Sequence, residues 1–471
     1  MNELTLVLDN AGSTPLYEQI YQYIKNEIKS GKIECKTKLP SARSLARHLQ
    51  VSRSTVDMAY TQLISEGYIE SVPCKGYYVC EISLLYDINM PKKSTKVHRT
   101  KPVEEKLIDF TPNGIDLEYF PFGMWRKISR SILNEERKEL FDSGDSKGDI
   151  NLRRNICNYL FEARNVHCTP DNIIIGAGND YLMTLLCRLM NRTRVIAMES
   201  PTYQRAYQVF RANDKSIVTV NVEKDGIDVE SIRMTDADMV YVMPSHQYPL
   251  GTVMSIRKRN QLLKWANEKD FRYIIEDDYD SEFRYHGKPI PALMGIDNTD
   301  KVIYIGTFSK SIAPAIRMSY MVLPEQLMNL YEEKISFYSQ TVSRIDQAVV
   351  SEFIENGSFE RHLNKMRSIY REKHDLVISN LKEMGDLISI YGANAGLHIV
   401  IKVNNGMTEK ELIDRARAAG IKVYPLSEYY IDGMEKEKNA VIMGFAKLNH
   451  SEIQKGISIL KEIWKGNGGI I

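Results

Sequence analysis

Neither sign of charge is in excess in this chain. Its 62 Lys and Arg face 61 Asp and Glu, a formal net charge of +1. Taken in bulk, that balance offers no electrostatic case for a nucleic-acid partner, although a sum can hide an asymmetry between parts. Cysteine is also scarce, six residues in 471: Cys35, Cys74, Cys80, Cys157, Cys168 and Cys187. None forms a Cys-x-x-Cys pair and no nearby histidine completes a zinc spacing, so reduced thiols and no metal site are expected. Apolar runs stay short. Met239–Met243 is strand-sized, against about 20 residues for a membrane span. The first ten residues, MNELTLVLDN, are acidic and lack the basic region and long apolar core of a signal peptide. Together these absences predict a cytoplasmic protein with no membrane partner. With 43% hydrophobic and 26% charged residues, wholesale disorder, collagen and coiled-coil rods are excluded. No repeat recurs at a solenoid period. At about 150 residues per domain, the length suggests roughly three folding units.

Along the chain, three zones differ in composition. Residues 14–80 are compact and helix-rich. Residues 81–106 are polar and carry Lys92, Lys93, Lys96, Arg99, Lys101 and Lys106, which reads as a basic linker. From residue 107 to 471, short apolar strands alternate with helices, the pattern of an α/β domain. The charge divides with the zones. Residues 1–106 hold 15 Lys and Arg against 12 Asp and Glu, and the rest hold 47 against 49. The asymmetry is mild but has the sign a nucleic-acid module needs.

In the first zone, Leu16, Ile20, Tyr23, Ile24 and Ile28 recur near helical spacing, and Gly31 stops that helix. Ser41 is placed to cap a second helix with Leu45, Ala46 and Leu49 inward. After the turn Gln50-Val51-Ser52, a third helix runs from Arg53 to Glu66, and Tyr68–Ser71 and Gly76–Cys80 alternate as two short strands. This is the order of a winged helix-turn-helix, whose second helix enters the major groove by its N-terminal end. That end reads Ser52-Arg53-Ser54-Thr55, small hydroxyls for phosphates and an arginine for a phosphate or a guanine edge. A helical interaction module with a solvated basic face is the alternative. The motifs Leu39-Pro40-Ser41-Ala42-Arg43-Ser44-Leu45-Ala46, Val51–Val56, Glu66-Gly67-Tyr68 and Gly76-Tyr77-Tyr78-Val79 resemble the GntR-type winged-helix signature. The resemblance implies a double-stranded DNA operator contacted by Arg43, Arg53, Ser54, Thr55 and the wing residue Gly76. One departure is Asp57, where many members of that family carry arginine and where a carboxylate repels phosphate.

In the last zone, the buried-strand pattern Val302–Gly306 leads into Thr307-Phe308-Ser309-Lys310-Ser311, with Arg317 seven residues beyond the lysine. A desolvated lysine amine is a nucleophile toward carbonyls, and Thr307, Ser309 and Arg317 supply donors for a phosphate. On its own such a lysine is more often a solvated loop residue. A second strand, Arg272–Glu276, ends in Asp277-Asp278-Tyr279, and Asp277 and Tyr279 share a face. A carboxylate and a phenol on one face suit a pyridine ring, the carboxylate pairing with the ring N–H. Tyr203 follows another strand and can stack on such a ring. Gly176-Ala177-Gly178-Asn179-Asp180 joins a strand to a helix and offers free N–H groups to an anion.

In this order and spacing, the motifs resemble fold-type I pyridoxal-phosphate enzymes of the aspartate aminotransferase superfamily. The resemblance implies pyridoxal 5'-phosphate on Lys310, Asp277 on the ring nitrogen, Tyr279 on the ring hydroxyl and Tyr203 stacked. It places Gly178, Asn179, Thr307, Ser309 and Arg317 near the phosphate, and it implies a head-to-tail homodimer with a small subdomain from roughly 320 to 471. A GntR-type winged helix (1–80), a linker (81–106) and an aminotransferase-like domain (107–471) together resemble the MocR/GabR subfamily of transcriptional regulators. The stretches Tyr273–Phe283, Gly306–Ser311, Pro244–Gln247 and Gly392–His398 carry that likeness. Two departures bear on function. Tyr248-Pro249-Leu250-Gly251 stands where aminotransferases have Asn-Pro-x-Gly, which removes an amide from the ring oxygen unless His246 or Gln247 substitutes. Members that sense γ-aminobutyrate are expected to use two arginines on the effector carboxylate. Arg205 matches the first, but the loop Pro425–Tyr430 contains no arginine and has Glu428 at the expected place, which speaks against that effector.

The resemblance thus implies a regulator responsive to an amino acid or amine, which it senses by external aldimine formation that releases Lys310. Two alternatives stand beside it: a working aminotransferase with a regulatory DNA-binding domain, and a vitamin B6 sensor.

Overall fold

A computed structural model describes residues 6, 8–9, 14–81, 107–190, 193–285, 290–431, 433 and 438–465. Beyond Glu81, the expected linker lies outside the described residues. The chain divides into two compact units, Met1–Lys101 and Pro102–Ile471.

In the first unit, helices α1 (Leu16–Lys29), α2 (Ala42–His48) and α3 (Arg53–Ser65) precede strands β1 (Ile69–Val72) and β2 (Gly76–Val79). The Ser41 and Ser52 hydroxyls accept the N–H groups of Ser44 and Thr55, capping α2 and α3, each worth about 1 kcal/mol. Ile20, Ile24, Leu45, Val56, Ala59, Tyr60 and Leu63 form the buried seam of the three helices. The strands pair antiparallel, Ile69 opposite Val79 and Val72 opposite Gly76, as a wing.

The second unit opens with β3 (Ile108–Asp109) and then builds an eight-stranded sheet from β4 (Ile173–Gly176), β5 (Val195–Ser200), β6 (Ser216–Glu223), β7 (Gly226–Ile227), β8 (Met239–Val242), β9 (Tyr273–Asp278), β10 (Val302–Thr307) and β11 (Ser319–Val322). Its order is β4-β11-β10-β9-β8-β5-β6-β7. The central run from β10 to β6 is parallel, and β11 is antiparallel to both neighbours. Every residue of β8 and β9 is buried, as expected of parallel strands covered on both faces.

A four-stranded antiparallel sheet follows, from β12 (Ile388–Tyr391), β13 (His398–Val403), β15 (Tyr424–Pro425) and β16 (Ala440–Gly444), while β14 (Ile421–Lys422) pairs in parallel with β3. The boundary expected near 320 falls inside β11, a strand of the large sheet. The helix Ser358–Lys382 spans the transition instead. Phe359 and Leu363 pack into the core of the large part, whereas Met366, Tyr370, Val377 and Leu381 pack under the second sheet. The small lobe also recruits Phe110 and Ile115 from the other end of the unit. Such recruitment depends on long-range pairing and escapes any linear division.

Candidate functional site

Parallel strands of an open sheet leave a crevice beyond their carboxyl ends. Here the ends of β4, β5, β8, β9 and β10 converge on a cavity of about 440 Å³ lined by Gly178, Asn179, Asp180, Tyr203, Arg205, Tyr248, Asp277, Tyr279, Thr307, Ser309, Lys310, Arg317 and Tyr429, among others. All nine residues expected around the cofactor, and Arg205, line this one cavity.

Lys310 sits on the single helical turn Phe308–Ser311 after β10, and its Nζ donates to the Pro112 carbonyl at 3.3 Å. Burial pulls its amine down to about 8, against the opposing pull of the Asp280 carboxylate. Asp277 is buried near the end of β9. It accepts from the Tyr241 hydroxyl at 2.5 Å and from the Asn179 amide at 3.1 Å. Burial raises its carboxyl to about 7, although both bonds oppose the rise. The Asn179 side chain is therefore turned to Asp277, and what it offers a phosphate is its place at the start of the helix Asn179–Leu189. Gly178 precedes that helix at φ +97° with no side-chain cap, and a Cβ there would lie 2.6 Å from Arg317 Nη2. Arg317 takes the left-handed conformation, φ +48°. The Thr307 hydroxyl accepts the Ser309 N–H at 3.2 Å and the Ser319 hydroxyl at 2.9 Å. Tyr203 immediately precedes the helix Gln204–Ala212, with its ring edge-on to Tyr248 at 5.7 Å.

Several features were not legible as site residues. Asp180 lies between two cations, 3.6 Å from Arg205 and 3.7 Å from Arg317. Tyr248 lines the cavity in its own right and bonds the Tyr429 hydroxyl at 3.1 Å. Gln247 does not replace the missing amide: its side chain bonds the Pro201 carbonyl and the Leu250 N–H. Nor does His246 line the cavity; its Nδ1 is engaged by Asp280 and Tyr279. Glu428 is exposed and absent from the cavity wall, where Tyr429 stands.

The residues present fit pyridoxal phosphate. The helix start uncapped by any side chain suits an anion, and only a glycine leaves room beside Arg317. The Asn179 Oδ1 is buried without a partner, and a carboxylate as deep as Asp277 calls for a cationic or N–H partner.

In the other unit, Arg43, Arg53 and Ser54 are exposed, and Thr55 and Gly76 are half-buried. The Ser52 hydroxyl lies 2.7 Å from those of Ser54 and Thr55. Arg53 pairs with Asp57 one turn on at 3.3 Å.

A winged helix and a fold-type I aminotransferase-like domain on one chain define a DNA-binding transcriptional regulator of the pyridoxal-phosphate-dependent kind. Residues 108–460 match the family of class I and II aminotransferases, and residues 16–79 match the gntR family of bacterial regulatory proteins. The chain belongs to these families and, within them, to the MocR-type regulators. The uncharacterized HTH-type transcriptional regulator YdeL of Bacillus subtilis (strain 168) is 42% identical over 466 residues, covering 98% of this chain and 100% of the relative. The probable rhizopine catabolism regulatory protein MocR of Rhizobium meliloti is 29% identical, covering 97% and 95%. The pyridoxine biosynthesis regulator PdxR of Corynebacterium glutamicum is 28% identical, covering 96% of each. Among solved structures, the multiple substrate aminotransferase of Thermococcus profundus superposes with a TM-score of 0.69 at 26% identity, covering 76% of this chain and 91% of that one. Among the described residues, no helix is long and apolar enough to cross a membrane.

Proposed function

We propose that this regulator is cytoplasmic and responds to an amino acid or amine through the Lys310 cavity. The observation that carries the reading is the convergence of a desolvated lysine, a buried carboxylate and an uncapped helix start on one cavity, in a chain that also carries a winged helix. Bound there, pyridoxal phosphate supplies an aldehyde that condenses with primary amines.

In this reading Lys310 is the residue that carries the cofactor. Asp277 holds the proton on the ring nitrogen, braced by Tyr241 and Asn179. Tyr279 donates to the ring oxygen and Tyr203 covers a ring face. Gly178, the backbone at Asn179, Thr307, Ser309 and Arg317 enclose the phosphate. Arg205 receives an effector carboxylate, exchanging Asp180 for it. With Arg317 given to the phosphate, Arg205 is the arginine of the cavity wall left for an effector carboxylate, and Tyr248 and Tyr429 line the same cavity. Arg43, Arg53, Ser54, Thr55 and Gly76 contact the operator, and the chain acts as a head-to-tail homodimer.

The test is a panel of amino acids and amines added to the cofactor-loaded protein, scored by visible absorbance and by operator binding. One compound is expected to change both. If none changes operator binding while multiple turnovers occur with a 2-oxo acid at ordinary enzyme rates, the chain is instead a working aminotransferase. The likeness to PdxR favours one further reading, in which pyridoxal phosphate is itself the signal. Operator binding that differs between cofactor-free and loaded protein, with no amine present, would establish that reading.

A further inference from the structure

Behind Tyr279 lies a buried polar group with no role so far. His246, in the turn after β8, is 2% exposed. Its Nδ1 lies 3.1 and 3.0 Å from the two oxygens of Asp280 and 2.8 Å from Tyr279 Oη. His398, the first residue of β13, joins them from the small lobe with its Nε2 on the Pro249 carbonyl at 3.0 Å. The side-chain nitrogens and oxygens of His246, Asp280 and His398 approach within 4.8 Å of one another. The loop before β13 can close over this group only because residue 396 is glycine at φ +76°. A Cβ there would fall 2.0 Å from His246 Cε1.

The chemistry of the donors fixes the direction of the bonds. An ionised carboxylate only accepts, so the imidazole proton bound by Asp280 sits on Nδ1. Nε2 is buried without a partner, where a proton would be stranded. Tyr279 Oη, in reach of the same Nδ1–H, accepts there, and its own proton points elsewhere. The cavity that Tyr279 lines is the open side.

We infer that Asp280 and His246 are positioning residues that hold the Tyr279 hydroxyl as a donor into the cavity. This rests on the cofactor reading above, in which the ring oxygen is the acceptor. Asp277 from β9, Tyr241 from β8 and Tyr248 from the following turn face Tyr279. His398 and Tyr285 flank the pair, and Lys310 feels the Asp280 charge.

The experiment is a pH titration of the visible absorbance of the full-length protein loaded with pyridoxal phosphate. It compares wild type, Tyr279→Phe, Asp280→Asn and the double variant. Asparagine offers N–H as readily as C=O, so the imidazole proton is no longer pinned and Nδ1 is free to take the Tyr279 proton. A ring oxygen that loses its donor becomes more basic. Both single variants are therefore expected to raise the spectral midpoint, by about one pH unit, and the double variant to go no further than Tyr279→Phe. An unmoved midpoint in Asp280→Asn overturns the inference. So does a shift that persists undiminished in the Tyr279→Phe background, which would mean that Asp280 acts on Lys310 directly. Should thermal unfolding show Asp280→Asn to be misfolded, His246→Gln makes the same comparison. A wild type that gains no visible band overturns both this inference and the cofactor reading, whereas a normal wild-type band with unmoved variants overturns this one alone.

Discussion

Gly178 and Arg317 stand so close that one added carbon would not fit between them: a Cβ on Gly178 would lie 2.6 Å from the guanidinium. Residue 178 also has a positive φ of 97°, which side-chain-bearing residues rarely adopt. Gly178→Ala should thus displace Arg317 and twist the helix start together. We expect at least about a tenfold loss of pyridoxal-phosphate affinity, about 1.4 kcal/mol, read by fluorescence titration, with the thermal midpoint of the cofactor-free protein little changed.

Lys310 reacts with an aldehyde only as the neutral amine. Because burial lowers its value to about 8, the neutral fraction climbs as pH rises through 8 and saturates above it. The rate at which added pyridoxal phosphate acquires its protein-bound absorbance should follow that curve. An ordinary exposed lysine would keep rising toward pH 10. Lys310→Ala should abolish the band.

Tyr241→Phe removes the 2.5 Å hydrogen bond to Asp277 and nothing of the ring. That bond holds the Asp277 carboxyl below where burial alone would put it. Its loss should raise the carboxyl further and weaken cofactor binding by about tenfold, the scale of a hydrogen bond to a charged group. The effect should shrink as pH rises, since ionisation of Asp277 then recovers.

On the recognition helix, Asp57 holds Arg53 at 3.3 Å. Arg53→Ala should weaken operator binding, and Asp57→Ala should strengthen DNA binding in general, because it frees the arginine and removes a charge that repels phosphate. Each change is expected to be a few-fold to about tenfold. If Arg53 contacts a phosphate, its loss should also flatten the salt dependence by about one unit of slope. Filter binding across a salt series checks both.

The buried pair Arg164–Asp278, 2.8 Å apart with both side chains under 5% exposed, is braced by Tyr304, which donates to Asp278. Arg164→Ala strands the carboxylate. It should cost about 3–5 kcal/mol, seen as a large drop in the thermal midpoint.

The winged helix is readable because its signals are local: a capping serine at 41, apolar residues at helical spacing, and Gly31 and Gly67 after the first and third helices. The cavity is readable as far as its residues cluster in short motifs around 178, 203, 277 and 310. Tyr241 is different. It stands in the apolar run Met239–Met243 and looks like core. Its meeting with Asp277 depends on the register of β8 against β9, where Tyr241 pairs with Ile275 and Val242 with Glu276. No single segment encodes that register. Asn179 illustrates the same limit, since the side chain of a helix-start residue turns to whatever the neighbouring strand presents. Tyr429 comes from the short helical turn Ser427–Tyr429 after β15, more than a hundred residues beyond Lys310.

The pairing of β3 with β14 matters for how the chain is strung. Ile108 and Phe110 donate to the Gly420 and Lys422 carbonyls, and Phe110 accepts from Gly444. Residues 108–110, at the start of the second unit, are therefore moored to its smaller lobe. Two residues past Phe110, the Pro112 carbonyl takes the Lys310 amine. Mooring post and chemical handle are thus adjacent links of one cable. The residue that would carry the cofactor therefore touches the chain two residues from the strand pairing that ties the start of this unit to its smaller lobe.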